Sequence, residues 1–157
     1  MGFVGRRLVE MLVERGAERV VAFDIAPKPA DAGDDPRIVW MQGDLTKPED
    51  VLRACEGSEC VWHIAALVGP YHPLDMYMRV NYDGTVNVID ACKSLGIRKI
   101  VMSSSPSTRF HGGDINGAKE SELTYPKRFL QAYAESKAKG EEACMAACDG
   151  ETLLTVA

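Results

Sequence analysis

A tyrosine and a lysine four residues apart, Tyr133 and Lys137, have the types and spacing of an acid/base pair. They lie in a run with helical apolar periodicity, residues 126–148, and residues four apart share one face of a helix. An ammonium fixed beside a phenol stabilises the phenolate, so the pair can move a proton on and off a substrate hydroxyl. The same spacing also occurs where a half-buried tyrosine lies beside a solvated lysine, so the motif needs context.

Three consecutive serines, residues 103–105, follow a predicted strand and offer a third reactive group. We expect the Ser105 hydroxyl to hydrogen-bond the reacting oxygen and to stabilise charge as it develops there. Ser103 and Ser104 are hard to distinguish from it by sequence, and serine-rich strand ends are also ordinary turns. The long polar loop that follows, residues 106–125, is of a length that usually has a function.

Strands and helices alternate along the chain, which predicts an α/β fold. The pattern is that of a Rossmann-type, doubly wound parallel sheet with helices on both faces. In such sheets ligands bind beyond the carboxyl ends of the strands. The predicted strands are residues 19–24, 37–41, 59–65, 98–102 and 152–156, and the predicted helices are one ending at Gly16, a short one running to Gly57, residues 74–95 and residues 126–148.

Two glycines, Gly2 and Gly5, lead directly into the first predicted helix. In a dinucleotide-binding turn, glycines let the backbone approach a pyrophosphate, and the helix N-terminus adds a positive dipole end. Asp24 lies 22 residues after Gly2 at a strand end, where an acid binds the adenosine ribose hydroxyls. Its charge would repel a 2′-phosphate, which favours NAD over NADP. The alternative is an ordinary helix start and a strand-end aspartate.

Small and polar residues follow other predicted strands at the same edge. Asp44 either accepts a hydrogen bond from the adenine amino group or is a turn residue before a helix. Ala65 and Ala66 are small enough for a backbone that passes close to a ribose and a nicotinamide, or they pack in the core. We expect His63 to be a strand residue rather than a ligand. Asn81 either holds water or a backbone group near the site or is simply a polar helix position.

The composition predicts one soluble domain without a nucleic-acid partner. The chain has 157 residues, 46% of them hydrophobic, and a formal net charge of -5, which argues against binding to nucleic acid or to an anionic membrane. No apolar run approaches the length of a membrane span. Five cysteines without a secretion signal indicate free thiols in a reducing compartment, which favours the cytoplasm. A four-cysteine zinc site is the alternative, but we predict no metal.

Together these segments resemble the extended short-chain dehydrogenase/reductase family. Within it, residues 105–117 are similar to the branch of 3β-hydroxysteroid dehydrogenases and sterol-4α-carboxylate 3-dehydrogenases. The resemblance implies hydride transfer between NAD and the 3β-alcohol of a sterol or steroid, as in steroid biosynthesis. It implies that Tyr133 is the acid/base, that Lys137 assists it and binds ribose, and that Ser105 positions the substrate oxygen. The cofactor contacts it implies are Gly2, Phe3, Val4, Gly5, Asp24, Asp44, Leu45, Ala65, Ala66, Tyr133 and Lys137.

The chain also departs from the family pattern. The family's first strand and first glycine precede the position of Met1, and the family's substrate-binding portion follows Ala157. We therefore expect residues 1–157 to be an incomplete NAD-binding Rossmann domain, a fragment with negligible turnover. Its sheet either closes over the gap or splits into halves with unpaired edges.

Two other functions stay open. One is a non-catalytic fragment, and the other is a different extended-family enzyme, such as a nucleotide-sugar epimerase or a flavonoid reductase. The resemblance also allows a homodimer for full-length members. Family members often lie at the endoplasmic reticulum membrane, although this chain carries no anchor.

Overall fold

The computed structural model has an α/β architecture built on two parallel sheets. The first sheet pairs β1 with β2, and the second has three strands in the order β3-β4-β5. The residues that the structure describes are 2–69 and 71–157. The strands are β1 Val20–Asp24, β2 Ile38–Gln42, β3 Val61–His63, β4 Lys99–Met102 and β5 Leu154–Val156.

Five α-helices and three further helical segments, one π-helical and two 3-10, connect and cover these strands in the described ranges. A single π-helical stretch joins α3 to α4, so the chain is helical from residue 74 to residue 95. The α-helices are α1 Phe3–Glu14, α2 Pro48–Cys55, α3 Leu74–Tyr77, α4 Gly84–Leu95 and α5 Ala132–Ala146; the π segment is Met78–Asp83, and the 3-10 segments are Pro106–Arg109 and Glu120–Glu122.

The second sheet has helices on both of its faces. Adjacent residues of a strand point to opposite faces, and in β4 they do so with different neighbours. Ile100 is buried in the main core, where it joins Val51 of α2, Val88 of α4 and Cys144 of α5. Val101 lines the opposite face, toward α1. The predicted parallel strands and the two-sided covering are therefore confirmed.

The strands do not form one continuous sheet. Each predicted strand lies within two residues of its predicted start, but β1 pairs only with β2, and β3 pairs only with β4, among the described residues. Of the two outcomes expected for the sheet, the structure therefore has the split one. Both β1 and β3 consequently keep one edge without a strand partner in the described parts of the chain.

The bounds of one predicted helix need correction. The helix predicted at residues 126–148 begins six residues later, at Ala132, because Gln131, with φ −140° and ψ 139°, is extended and precedes α5. The helix predicted at residues 74–95 has the expected limits, and Gly96 ends it at φ 68°. Its π-helical segment was not expected from sequence.

An apolar groove of about 380 Å³ lies between α1 and the face of β3 and β4. Leu8 and Met11 line one wall, and Trp62 and Val101 line the other. Trp62 is 44% exposed, and Phe3 at the start of α1 is 90% exposed. Part of the sheet face next to α1 therefore remains open to solvent.

The described residues hold no helix with both the length and the apolarity that crossing a membrane requires. They also hold no group of three or more His, Cys, Asp or Glu side chains arranged to bind a metal ion. All five cysteines are free thiols.

Candidate functional site

Helix α5 carries both residues of the predicted acid/base pair and places Lys137 at the carboxyl end of β4. Lys137 is buried, and its Nζ donates a hydrogen bond to the Ser103 carbonyl oxygen at 2.6 Å. Burial lowers the pKa of Lys137, and the Glu141 carboxylate one turn further along α5 opposes that shift. Tyr133 is half-buried, and its ring lies edge-on to that of Tyr77 at 6.1 Å between centroids. The ammonium is thus held at the strand end by a backbone contact.

The three serines after β4 have different partners, which distinguishes them. The Ser103 carbonyl binds Lys137, and the Ser104 hydroxyl donates to the Glu141 carboxylate. The Ser105 Oγ lies 2.8 Å from the Ser107 Oγ and accepts a hydrogen bond from the Ser107 N–H at 3.3 Å. Ser105 is half-buried, and its hydroxyl contacts only Ser107 of the same turn. A ligand oxygen could therefore replace Ser107 as its partner.

Asn81, in the π-helical segment, fixes the segment that contains Ala65 and Ala66. Its Oδ1 accepts a hydrogen bond from the Leu67 N–H at 2.7 Å, and its Nδ2 donates to the Leu67 carbonyl oxygen and to the Ser136 hydroxyl, both at 3.0 Å. Asn81 is only 2% exposed. Of the two interpretations of Asn81, the one in which it holds a backbone group is confirmed. The side chain links the loop after β3 to α5, beside Lys137.

His63 is a buried strand residue, as predicted. Its Nε2 lies 2.9 Å from the Thr85 Oγ1, and Thr85 in turn donates to the Asn81 carbonyl oxygen at 2.7 Å. Burial, with a smaller contribution from the Lys137 ammonium, lowers the pKa of His63 to about 4. The imidazole is therefore neutral and connects β3 to α4.

The two aspartates lie at strand ends as expected. Asp24 is the last residue of β1, and its Oδ1 accepts a hydrogen bond from the Ala26 N–H at 2.8 Å. Asp44 follows β2, and its Oδ1 accepts from the Thr46 N–H at 2.9 Å and from the Thr46 hydroxyl at 2.8 Å. These contacts lower the pKa of Asp44, the backbone contact most. One Asp44 carboxylate oxygen is therefore engaged in the turn, which agrees with the interpretation of Asp44 as a turn residue.

The other predicted cofactor residues differ in exposure. Leu45 is buried against Gly84, where an added methyl would lie 2.7 Å from the Leu45 Cγ, and its carbonyl oxygen accepts from the Asn87 amide at 3.0 Å. Ala65 is exposed and Ala66 is half-buried in the loop after β3. Leu45 is therefore mainly a core residue, whereas the two alanines border accessible space.

The N-terminus of α1 is open to solvent. Gly2 is the residue before the helix, and it has no side chain to cap the N–H groups of the first turn. Gly2, Phe3 and Val4 are exposed, and Gly5 is half-buried. A 12-residue helix with uncapped N–H groups and a glycine entrance has donors suited to an anion.

Sequence reasoning missed a buried carboxylate, Glu141, together with Arg109 and Tyr125. Arg109 Nη2 donates to Glu141 Oε1 at 2.5 Å, and the Tyr125 hydroxyl donates to the same oxygen at 2.9 Å. Glu141 follows Lys137 by four residues, so the helical spacing used for Tyr133 could have pointed to it. Arg109 and Tyr125 lie at opposite ends of a loop without periodicity, and no local signal relates them.

Comparison with known proteins identifies relatives over the whole chain. The profile of the family described as 3-beta hydroxysteroid dehydrogenase/isomerase matches residues 1–157. The chain is 37% identical over 150 residues to the sterol-4-alpha-carboxylate 3-dehydrogenase, decarboxylating, of Bos taurus, which covers 96% of this chain and 40% of that protein. It is 44% identical over 105 residues to the 2-alkyl-3-oxoalkanoate reductase of Shewanella oneidensis, covering 67% of this chain and 27% of that protein.

A solved structure shares the fold at comparable coverage. The Thermus thermophilus UDP-glucose 4-epimerase, crystallised in complex with NAD, aligns with a TM-score of 0.79 and 27% sequence identity. The alignment covers 98% of this chain and 50% of that one. The chain therefore spans about 40% of the length of the Bos taurus relative and half of this structural neighbour.

Proposed function

Because the chain belongs to the 3-beta hydroxysteroid dehydrogenase/isomerase family, we propose that residues 1–157 are the NAD-binding and proton-transferring portion of an oxidoreductase. The reaction is hydride transfer between NAD and the 3β-alcohol of a sterol or steroid. The observation that carries the proposal is the buried Lys137 ammonium, held 2.6 Å from the Ser103 carbonyl oxygen and one helical turn from Tyr133. An ammonium kept at a strand end next to a tyrosine suits proton transfer better than structural support.

The reaction assigns a separate task to each side chain. Tyr133, as the phenolate, takes the proton from the substrate hydroxyl during oxidation, and as the phenol it returns a proton during reduction. Lys137 stabilises the phenolate that forms, and its contact with Ser103 keeps the ammonium oriented. The Ser105 hydroxyl donates to the reacting oxygen after it leaves Ser107. NAD, when bound, supplies the hydride acceptor.

The donor and acceptor groups at the strand ends fit a dinucleotide. The uncapped N–H groups at Gly2–Gly5 suit the pyrophosphate, and the Asp24 carboxylate suits the ribose hydroxyls. Asp44 has a second carboxylate oxygen for the adenine amino group, and Leu45 lies beside it. Ala65 and Ala66 leave room for the nicotinamide half. The Asp24 charge favours NAD over NADP.

A second candidate reaction is reduction of an open-chain 2-alkyl-3-oxo acid, which the 44% identity to the Shewanella oneidensis protein favours. The names of the two relatives share one chemical feature. In a sterol 4-carboxylate that reacts at carbon 3, and in a 3-oxoalkanoate, a carboxylate is attached to the carbon next to the reacting one. The two candidates therefore differ in the hydrocarbon body of the substrate more than in the reacting group.

We propose the cytoplasm as the compartment, because all five thiols are free. A homodimer remains part of the proposal for the full-length protein, and sedimentation velocity of that form tests it.

The test is NAD binding by calorimetry, with circular dichroism on the same sample. We expect binding, weakened about tenfold in Asp24→Ala, with an unchanged α/β spectrum. The exposed Asp34→Ala is the matched control. A folded chain that binds no NAD would refute the assignment and support a non-catalytic fragment. Oxidation of pregnenolone against reduction of a 2-alkyl-3-oxo acid by the full-length protein then distinguishes the two candidate substrates.

A further inference from the structure

The chain makes a long excursion between the predicted reactive serine and the reactive helix. It leaves Ser105 through the 3-10 segment Pro106–Arg109 and returns at Tyr125 before α5 begins. Residues 110–124 are exposed except for the half-buried Leu123. Such a segment has little packing of its own, so its position depends on how its two ends are held.

Both ends of this excursion meet at one buried carboxylate. Glu141 Oε1 accepts from Arg109 Nη2 at 2.5 Å and from the Tyr125 hydroxyl at 2.9 Å, while its Oε2 accepts from the Ser104 hydroxyl. The Arg109 guanidinium also lies over the Tyr125 ring, 3.7 Å from its centroid. We call these four residues the Glu141 clamp: Ser104, Arg109, Tyr125 and Glu141.

The clamp holds because its carboxylate is charged and removed from water. The Glu141 side chain is 9% exposed and that of Arg109 is 16% exposed. Burial raises the pKa of Glu141, but the contacts from Ser104, Arg109 and Tyr125 together hold it below its ordinary value. Releasing either end of the excursion would leave a buried charge with fewer partners, which is costly.

The excursion borders the site on an apolar side. A pocket of about 80 Å³ lies between it and the start of α5, lined by Phe110, Leu130 and Ala134, the last of these next to Tyr133. Phe110 is 44% exposed and Leu130 is 62% exposed. Apolar side chains that remain open at the start of the reactive helix suit the hydrocarbon body of a substrate.

We propose that Glu141 is a positioning residue whose clamp fixes residues 106–125 as the substrate wall beside Ser105 and Tyr133, a wall that takes the apolar body of the substrate. The inference rests on the proposed function, because it assigns a part of the same site. Glu141 touches neither cofactor nor substrate. It acts through Ser104 at the strand end and through Arg109 and Tyr125 at the two ends of the wall.

The test compares Glu141→Gln with Glu142→Gln, a matched control at the adjacent, exposed position of α5. Amide hydrogen exchange is followed at Thr108 and Phe110, whose N–H groups bond within the 3-10 segment. Dissociation constants are measured on the full-length protein, for NAD and, with NADH bound, for pregnenolone as the steroid probe. Neither measurement requires turnover.

We expect exchange at Thr108 and Phe110 to rise about tenfold or more in Glu141→Gln and to stay unchanged in the control. Pregnenolone should bind about fivefold or more weakly, while NAD affinity stays within about twofold. Tyr125→Phe, which removes one hydroxyl from the clamp and keeps the ring under Arg109, should change the same quantities in the same direction by less.

Three outcomes decide between the alternatives. Unchanged exchange and unchanged pregnenolone binding in Glu141→Gln overturn the clamp. Glu141→Gln could instead weaken NAD and pregnenolone binding equally and unfold the whole protein, while Tyr125→Phe has no effect. That result would show that Glu141 has only a structural role, and it would also overturn the clamp. If the unmutated full-length protein binds NAD but no pregnenolone, faster exchange in Glu141→Gln still supports the clamp, and the missing binding contradicts a steroid without a 4-carboxylate as the substrate.

Discussion

At the scale of single residues, the site rests on an ionisable group kept where its charge is costly. The Lys137 ammonium is buried, and burial lowers its pKa. The Ser103 carbonyl oxygen and, at longer range, the Glu141 carboxylate compensate only in part. A group that is expensive to bury and is held by partners at a strand end is typical of a functional site.

Lys137→Met should therefore separate function from stability. We expect NAD affinity to fall about tenfold, because the proposed ribose ligand and its charge are lost. The free energy of unfolding should fall by no more than about 1 kcal/mol, because the removed ammonium was itself unfavourably buried. Calorimetry and urea unfolding measure the two quantities. Lys139→Met, at an exposed position of the same helix, is the control, and equal effects of the two substitutions would contradict the assignment.

His63 predicts a pH dependence of stability. Its pKa is lowered from 6.5 to about 4 in the folded protein, so between these values the unfolded chain binds a proton that the folded chain excludes. The contribution is present above the ordinary pKa and is lost as the pH falls toward the folded value. Urea unfolding at about pH 5 should give a free energy about 2 kcal/mol lower than at neutral pH from this group.

His63→Asn should reduce that acid-dependent loss, although it also lowers stability at neutral pH. The exposed His111→Asn is the control and should leave the pH dependence unchanged. If His63→Asn loses as much free energy of unfolding at acid pH as the unmutated chain, groups other than His63 cause the loss.

At the scale of elements, the π-helical segment and α5 pack so closely that there is no room for a side chain at Gly140. A Cβ added at Gly140 would lie 2.5 Å from the Asn81 carbonyl oxygen and 3.2 Å from the Thr85 Oγ1. This close approach is what lets the Asn81 amide reach the Ser136 hydroxyl on α5 and hold the loop after β3. The glycine in mid-helix thus supports the site at the cost of helix propensity.

Gly140→Ala tests whether the steric cost of a methyl group at this position exceeds the gain in helix propensity. Helix propensity alone predicts stabilisation by about 1 kcal/mol. Because the added methyl meets backbone that cannot rotate away, we expect destabilisation by about 2 kcal/mol instead. Urea unfolding gives the sign, with Lys139→Ala at the exposed neighbouring position as the propensity control. A Gly140→Ala variant more stable than the parent would show that the two helices can separate without loss.

At the scale of the whole molecule, the parallel strands form two sheets, the second of the two outcomes that the sequence analysis allows. The second sheet buries Ile100 beneath three helices, but its face toward α1 keeps Trp62 partly exposed above a groove of about 380 Å³. Open apolar surface of this kind binds apolar probes and favours association.

Trp62→Thr tests this description of the groove. We expect the fluorescence of bound anilinonaphthalene sulfonate to fall by about half or more, because one wall of the groove is removed. Stability should change by no more than about 1 kcal/mol, since the side chain is already 44% exposed. Met145→Gln, an exposed apolar position on α5, is the control. Equal dye binding by all three proteins would show that the dye does not use the groove.

Much of this protein's secondary structure could be predicted from local sequence patterns. The types, order and approximate starts of the strands, the parallel pairing and the family resemblance follow from apolar runs and short motifs within one element. The placement of Tyr133 and Lys137 on one helix follows in the same way, because helical spacing is a local property. The end of α4 at Gly96 could also be predicted, because helices often end at a residue with positive φ, and glycine favours that conformation.

What only the tertiary structure decided depends on contacts between residues far apart in the chain. Sequence could not distinguish Ser103, Ser104 and Ser105, because their partners Lys137, Glu141 and Ser107 include residues more than 30 positions away. The later start of α5 and the π-helical segment arise where packing overrides helical pattern. The Glu141 clamp joins two ends of a loop that has no period, and the split of the sheet depends on which strands find partners in space. Local sequence carries no record of such pairings, because they form only when the elements pack.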